Sequence, residues 1–92
     1  MKIEHIENKG FFIYDEKKEI IAEMTYEKEG SNLVFNHTYV SPLLRGQGVA
    51  EKLFETGIEY AKNNGYKIIP VCSYIVKKFE SGKYDYIKAE RV

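Results

Sequence analysis

The sequence predicts a mixed α/β domain of the α+β kind: an antiparallel meander, a glycine loop, a long helix, a strand and a short helix. Three observations predict it. The first forty residues are short apolar runs cut by polar turn signals. A pair of closely spaced glycines, Gly46 and Gly48, follows the last of these runs. Immediately after them the apolar residues change from strand to helical spacing, and a βαβ unit joined to a meander is the simplest architecture with that order.

Taken in order, Lys2 to Glu7 is a short mixed strand ending at Asn8-Lys9-Gly10, and Phe11 to Tyr14 is an aromatic and β-branched strand. After the charged turn Asp15 to Lys18, Ile20 to Glu27 alternates, with Ile20, Ala22, Met24 and Tyr26 on one face. Lys28 to Asn32 turns the chain again, and Leu33 to Val40 forms a strand with Leu33, Phe35, His37 and Tyr39 on one face. Ser41-Pro42 ends that strand, because proline has no N–H for a ladder and disfavours helix in its predecessor. Beyond the glycines, Ala50, Leu53, Phe54, Gly57, Ile58 and Ala61 make one helical stripe, and Asn64-Gly65 supplies its left-handed stop. Tyr66 to Ser73 reads as a buried strand carrying Ile68, Ile69 and Val71. Tyr74 to Glu80 reads as a short helix with Ile75 and Phe79 four apart, and Tyr84 to Ile87 as a last strand or an irregular edge.

Ninety-two residues suffice for one domain, residues 1–92, and are too few for two. Apolar residues at 43% against 30% charged exclude a disordered chain. Fourteen basic residues balance fourteen acidic ones, so no overall field recruits nucleic acid or an anionic membrane, and any anion must be held by local geometry. Cys72 is the only cysteine, which excludes an internal disulfide and fits a reducing compartment. With no signal-like N-terminus and no run near the ~20 apolar residues of a membrane helix, a cytoplasmic location is expected. No metal site is assigned.

The loop Arg45-Gly46-Gln47-Gly48-Val49-Ala50 suits a phosphate group. The first N–H groups of a helix lack internal partners and stand at the positive end of its dipole. Gly46 and Gly48 clear Cβ atoms from their path, Ala50 keeps the first turn small, and Arg45 adds a positive charge. A pyrophosphate would lie on the N–H groups of Gln47, Gly48, Val49 and Ala50. A Walker loop would need Lys-Ser or Lys-Thr after its last glycine, and a dinucleotide fingerprint would need glycine or alanine where Glu51 stands. The glycines could also serve only a tight strand-to-helix turn.

The run Val40-Ser41-Pro42-Leu43-Leu44-Arg45-Gly46-Gln47-Gly48-Val49-Ala50 resembles the acetyl-CoA signature of the GNAT superfamily of N-acetyltransferases. With Asn36-His37-Thr38 and Ile69-Pro70-Val71-Cys72-Ser73-Tyr74, the chain resembles that superfamily's minimal single-domain members over roughly residues 11 to 80. The resemblance implies a truncated form of that fold and acetyl-CoA as co-substrate, with pyrophosphate on the loop and pantetheine between strands that splay apart after it. It also implies a backbone N–H near Tyr39 or Val40 for the thioester carbonyl, and an amine or peptide as acceptor.

Amine acetylation needs a deprotonated nucleophile, an oxyanion donor and a proton for the leaving thiolate. Cys72 is a candidate acyl acceptor or proton donor, and equally a small buried hydrophobe. His37 is a candidate general base, and equally a histidine hydrogen-bonded within the sheet. Tyr74 is a third candidate, with packing as the alternative, while His5 and Glu23 read as ordinary surface residues. Two departures from the resembled family bear on catalysis. Phe79 occupies the segment where many members carry a tyrosine beside the coenzyme sulfur, and no helix pair separates the early strands. Both leave open a second reading, a coenzyme-binding or sensing module with little turnover.

Overall fold

A computed structural model describes residues 1–90, so Arg91 and Val92 of the domain assigned to 1–92 lie outside the described residues. Four antiparallel strands form the meander: β1 (Glu4–Ile6), β2 (Gly10–Tyr14), β3 (Ile20–Glu29) and β4 (Asn32–Val40). A 3₁₀ turn (Pro42–Leu44) and the glycine loop lead into α1 (Val49–Asn63), which crosses over to β5 (Lys67–Pro70). β5 lies parallel to β4, completing a sheet of order β1-β2-β3-β4-β5. α2 (Ser73–Phe79) and a 3₁₀ turn (Asp85–Ile87) close the described chain. This is the mixed α/β fold that the sequence predicts. No described helix is long and apolar enough to cross a membrane.

One core holds it together. Phe11, Ala22, Met24, Leu33, Phe35 and Ile68 point from the inner face of the sheet onto Val49, Leu53, Phe54, Ile58 and Ala61 of α1. Ile75 and Phe79 of α2 and Ile87 join the same cluster. Gly57 sits where α1 crosses closest to the sheet. A Cβ there would stand 2.5 Å from Met24 Cε and 3.0 Å from Phe35 Cζ. Glycine inside a helix costs about 1 kcal/mol relative to alanine, so it is the close approach that requires it.

Four expectations are corrected by the structure. The sequence alternation puts Ile20 on the face of Ala22 and Met24, but a register shift between Ile13 and Tyr14 pairs Tyr14 with Ile20 and leaves Ile20 44% exposed. A second shift carries more consequence: Thr25 pairs with His37 and Tyr26 with Phe35, so Asn36 is an extra residue, a β-bulge. An extra residue inverts the alternation beyond it. His37 and Tyr39 therefore lie on the face opposite Leu33 and Phe35, not with them. On α1 it is Val49, not Ala50, that is buried, because the helix starts at Val49. The strand predicted to reach Ser73 ends at Pro70, which has no N–H to extend the ladder, and Val71 is 51% exposed. The tail is an irregular edge: Lys88 bridges Ile68, and Ala89 donates to the Ile68 carbonyl at 2.8 Å.

Gly57→Ala is expected to lower stability, since overpacking a close-packed core costs about 1–3 kcal/mol and only about 1 kcal/mol returns as helix propensity. A melting temperature several degrees below wild type in thermal unfolding is the expected outcome; an increase would show that Met24 and Phe35 yield without cost.

Candidate functional site

The loop between β4 and α1 is built from local hydrogen bonds. The Ser41 hydroxyl accepts from the Leu43 N–H at 3.2 Å and caps the 3₁₀ turn, and Arg45 N–H donates to the Pro42 carbonyl. Gly46 (φ 82°) and Gly48 (φ 67°) take left-handed backbone angles, and a Cβ on either would meet nothing within 4 Å. Gly48 is the N-cap of α1, and the first bond of the helix runs from Lys52 N–H to the Gly48 carbonyl at 3.1 Å. The N–H groups of Val49, Ala50 and Glu51 thus have no acceptor inside the helix. Gln47 N–H, by contrast, bonds the Leu44 carbonyl at 3.3 Å. Arg45 is exposed beside them.

Next to this helix end the sheet divides. β4 and β5 pair only from Asn32 with Lys67 to Phe35 with Pro70. At that point the Phe35 carbonyl accepts from both Val71 and Cys72 N–H, each at 3.1 Å. β4 then runs on to Val40 without β5 beside it, leaving a wedge. Ser41 N–H donates to Ile21 on the β3 side, so alternation directs the N–H groups of His37 and Tyr39 to β3 as well. Those of Thr38 and Val40 face the wedge.

The wedge has different chemistry on its two faces. On the helix side, Cys72 is the N-cap residue of α2 and its Sγ lies 3.4 Å from Thr38 Oγ1. Burial pushes the thiol pKa up, but hydrogen bonds from Thr38 and from the Ile75 and Tyr74 backbone outweigh it, and the net direction is down. Tyr74 is pushed up, first by burial and then by the Glu51 carboxylate. Glu51, in the first turn of α1, pairs with Lys78 of α2; hydrogen bonding to Glu51 raises the Lys78 pKa, and the Lys78 ammonium also stands 5.3 Å from the Phe54 ring centroid. The carboxylate nearest the helix end is thereby neutralised. On the helix-free side, His37 Nε2 stands 3.2 Å from Glu23 Oε2, with Tyr39 directly across the ladder from Glu23.

Residues 10–88 match the family model described as GCN5-related N-acetyl-transferase. The chain belongs to this family. A GCN5-like candidate N-acetyltransferase from Staphylococcus aureus, solved in solution by NMR, is 33% identical with a TM-score of 0.77. The match covers 99% of this chain and 90% of that one. More distant members share the fold alone. A GNAT family N-acetyltransferase from Escherichia coli in complex with CoA is 19% identical (TM-score 0.58), over 66% of this chain and 38% of that one. The ribosomal-protein-S18-alanine N-acetyltransferase from Escherichia coli is 16% identical (TM-score 0.65), over 86% and 54%. This GNAT chain therefore spans about half the length of those larger relatives or less.

Within the GNAT fold, the residues singled out in the sequence fall into three groups. Arg45 to Ala50 form the helix-end loop, though the Gln47 N–H is already bonded. Cys72 and Tyr74 flank the wedge from the helix side. His37 and Cys72 do not meet: Thr38, the neighbour of His37, contacts Cys72, and adjacent strand residues point to opposite faces. Sequence reading missed Glu23, because only the bulge at Asn36 brings His37 over it, and missed Thr38 and Lys78 for the same lack of a local signal. A surface depression lined by Pro70, Val76, Phe79 and Lys88 takes in none of these residues.

The lowered thiol pKa makes a directional prediction. Alkylation of Cys72 by iodoacetamide, followed against pH, should reach half-maximal rate at lower pH than a free cysteine, whose pKa is about 8.5. Thr38→Val should move that midpoint upward. An unchanged midpoint would remove the Thr38 hydrogen bond as a cause.

Proposed function

We propose that this protein is an acetyl-CoA-dependent N-acetyltransferase, with residues 1–92 working as a single domain that moves an acetyl group to an amine. The observation that carries the reading is the adjacency of an unpaired helix N-terminus, behind two left-handed glycines, to a wedge in the sheet. Pyrophosphate on the loop from Arg45 to Ala50 would use the N–H groups of Gly48, Val49 and Ala50 and the Arg45 charge. Pantetheine in the wedge would complete the missing side of β4, with the Val40 N–H beside Tyr39 as donor to the thioester carbonyl. The relative in complex with CoA, which shares this fold, supports the assignment.

The chemistry divides between the faces. The Cys72 thiolate, favoured by its lowered pKa, attacks the thioester carbonyl; a C–S bond to Cys72 forms, the bond to the coenzyme breaks, and the coenzyme thiolate takes a proton from solvent or from Tyr74. The amine then attacks the acyl-cysteine, an N–C bond forms, the Cys72 thiolate leaves, and the amine proton passes by way of solvent to His37 on the other face of β4. A second reading, a coenzyme-binding or sensing module with little turnover, is favoured by one observation. Phe79, where a proton-donating tyrosine would stand beside the sulfur, is buried at 4% exposure against Phe54 and Tyr84.

Isothermal titration with acetyl-CoA tests the site. Gly48→Glu, which adds a carboxylate at the helix end, should weaken binding at least ~10-fold, while Gly48→Asn, which tolerates the left-handed angle, should weaken it less. Equal affinity in all three would sink the loop assignment. A mass gain of one acetyl group after incubation with acetyl-CoA, lost in Cys72→Ser, is the expected sign of the relay. Thiol release with polyamines, amino acids or peptides but no acyl-enzyme would favour direct transfer, and binding without release would favour the module.

A further inference from the structure

We propose that Glu23 is the positioning residue for His37, holding its ring so that Nδ1 is the atom left to accept a proton. The inference rests on the reading of His37 as the general base. The geometry that carries it comes from three strands, β2, β3 and β4. Glu23 lies directly between Phe12 on β2 and Tyr39 on β4 in the ladder, all three on the helix-free face. Its side chain is 22% exposed against 55% for His37, so the anchoring group is the more enclosed and the histidine the more accessible. On the other side of His37, its cross-strand neighbour Thr25 donates to the Asn36 Oδ1 at 2.6 Å, which ties down the bulge residue that turns His37 to this face.

The contact bears on which nitrogen is free. It is made by Nε2, 3.2 Å from Glu23 Oε2, and an ionised carboxylate only accepts. In the proposal Nε2 carries the hydrogen, turned toward this carboxylate, which leaves the lone pair on Nδ1. When Nδ1 takes the proton of an attacking amine, the imidazolium that forms already faces a carboxylate, so Glu23 stabilises the charge that develops without touching the substrate. Among the described residues Glu23 takes part in no other ion pair that would compete.

Two measurements test this. Ring ¹⁵N shifts of His37 at a pH where it is neutral should show Nε2 in the protonated form in wild type. In Glu23→Ala both nitrogens should move toward the average of the two tautomers, and Glu23→Gln, whose amide oxygen can still accept, should restore much of the wild-type pattern. In single-turnover transfer to an amine, Glu23→Ala should lose at least about 10-fold in rate, part of the ~10²–10⁴-fold that a positioned acid–base group contributes, with acetyl-CoA affinity and melting temperature unchanged and partial rescue in Glu23→Gln. Ring shifts identical in wild type and Glu23→Ala would overturn the proposal. Ring shifts that respond as expected in a protein that binds no acetyl-CoA would keep it and overturn the acetyltransferase reading instead.

Discussion

The bulge at Asn36 is the constraint on which the rest of the site depends. One unpaired residue in β4 does two things at once. It ends the pairing with β5 just after Phe35, whose carbonyl takes both Val71 and Cys72 N–H, and so opens the wedge. It also inverts the side-chain alternation, sending Thr38 to the helix side beside Cys72 and His37 to the opposite side beside Glu23. Removing the bulge would return His37 to the inner face, where Phe35 and Met24 are packed with no exposure and where a charged imidazolium would find no water. Sheet geometry and site chemistry thus share a single cause.

The second support is α1, whose two ends are set by different forces. Its packing onto the sheet is fixed by apolar burial and by the absence of a side chain at Gly57, which lets the helix approach Met24 and Phe35. Its N-terminus is fixed by Gly48 in the left-handed region, which starts the helix at Val49 and leaves its first N–H groups without a side-chain cap. Glu51 favours the helix dipole but would repel an anion there. Lys78, reaching over from α2, offsets that repulsion, so α2 contributes to the electrostatics of a loop to which it is not covalently adjacent.

The sequence carried the element order because periodicity is local: alternation in β3, the stripe on α1, and glycine and proline at the breaks. It also carried the loop, since Gly46 and Gly48 are needed for their backbone angles whatever else surrounds them. It could not carry the bulge. Leu33 to Val40 alternates without interruption in the sequence, and the extra residue appears only when β4 is laid in register against β3, where Tyr26 and Thr25 demand partners on their own faces. Every misplaced residue of β4 beyond Phe35 follows from that one non-local fact, as does the failure to see Glu23. The end of β5 was legible in principle, because Pro70 has no N–H, but the apolar Val71 and Cys72 masked it.

A domain this small can hold opposite chemistries close together because the wedge passes between two faces of one sheet. A strand is a single residue thick, so Thr38 and His37, one peptide apart, address separate environments: a partly buried thiol under α2 and an exposed imidazole over a carboxylate. In the proposed reaction the coenzyme would enter from the helix end and the amine from the helix-free face, meeting at β4 without competing for space. On the helix-free face His37 is 55% exposed and Tyr39 43% exposed, so an acceptor docked there would be little enclosed. In the proposed reaction, binding energy from remote parts of an acceptor would have little surface to act on there, and selectivity would rest on the Glu23–His37 pair.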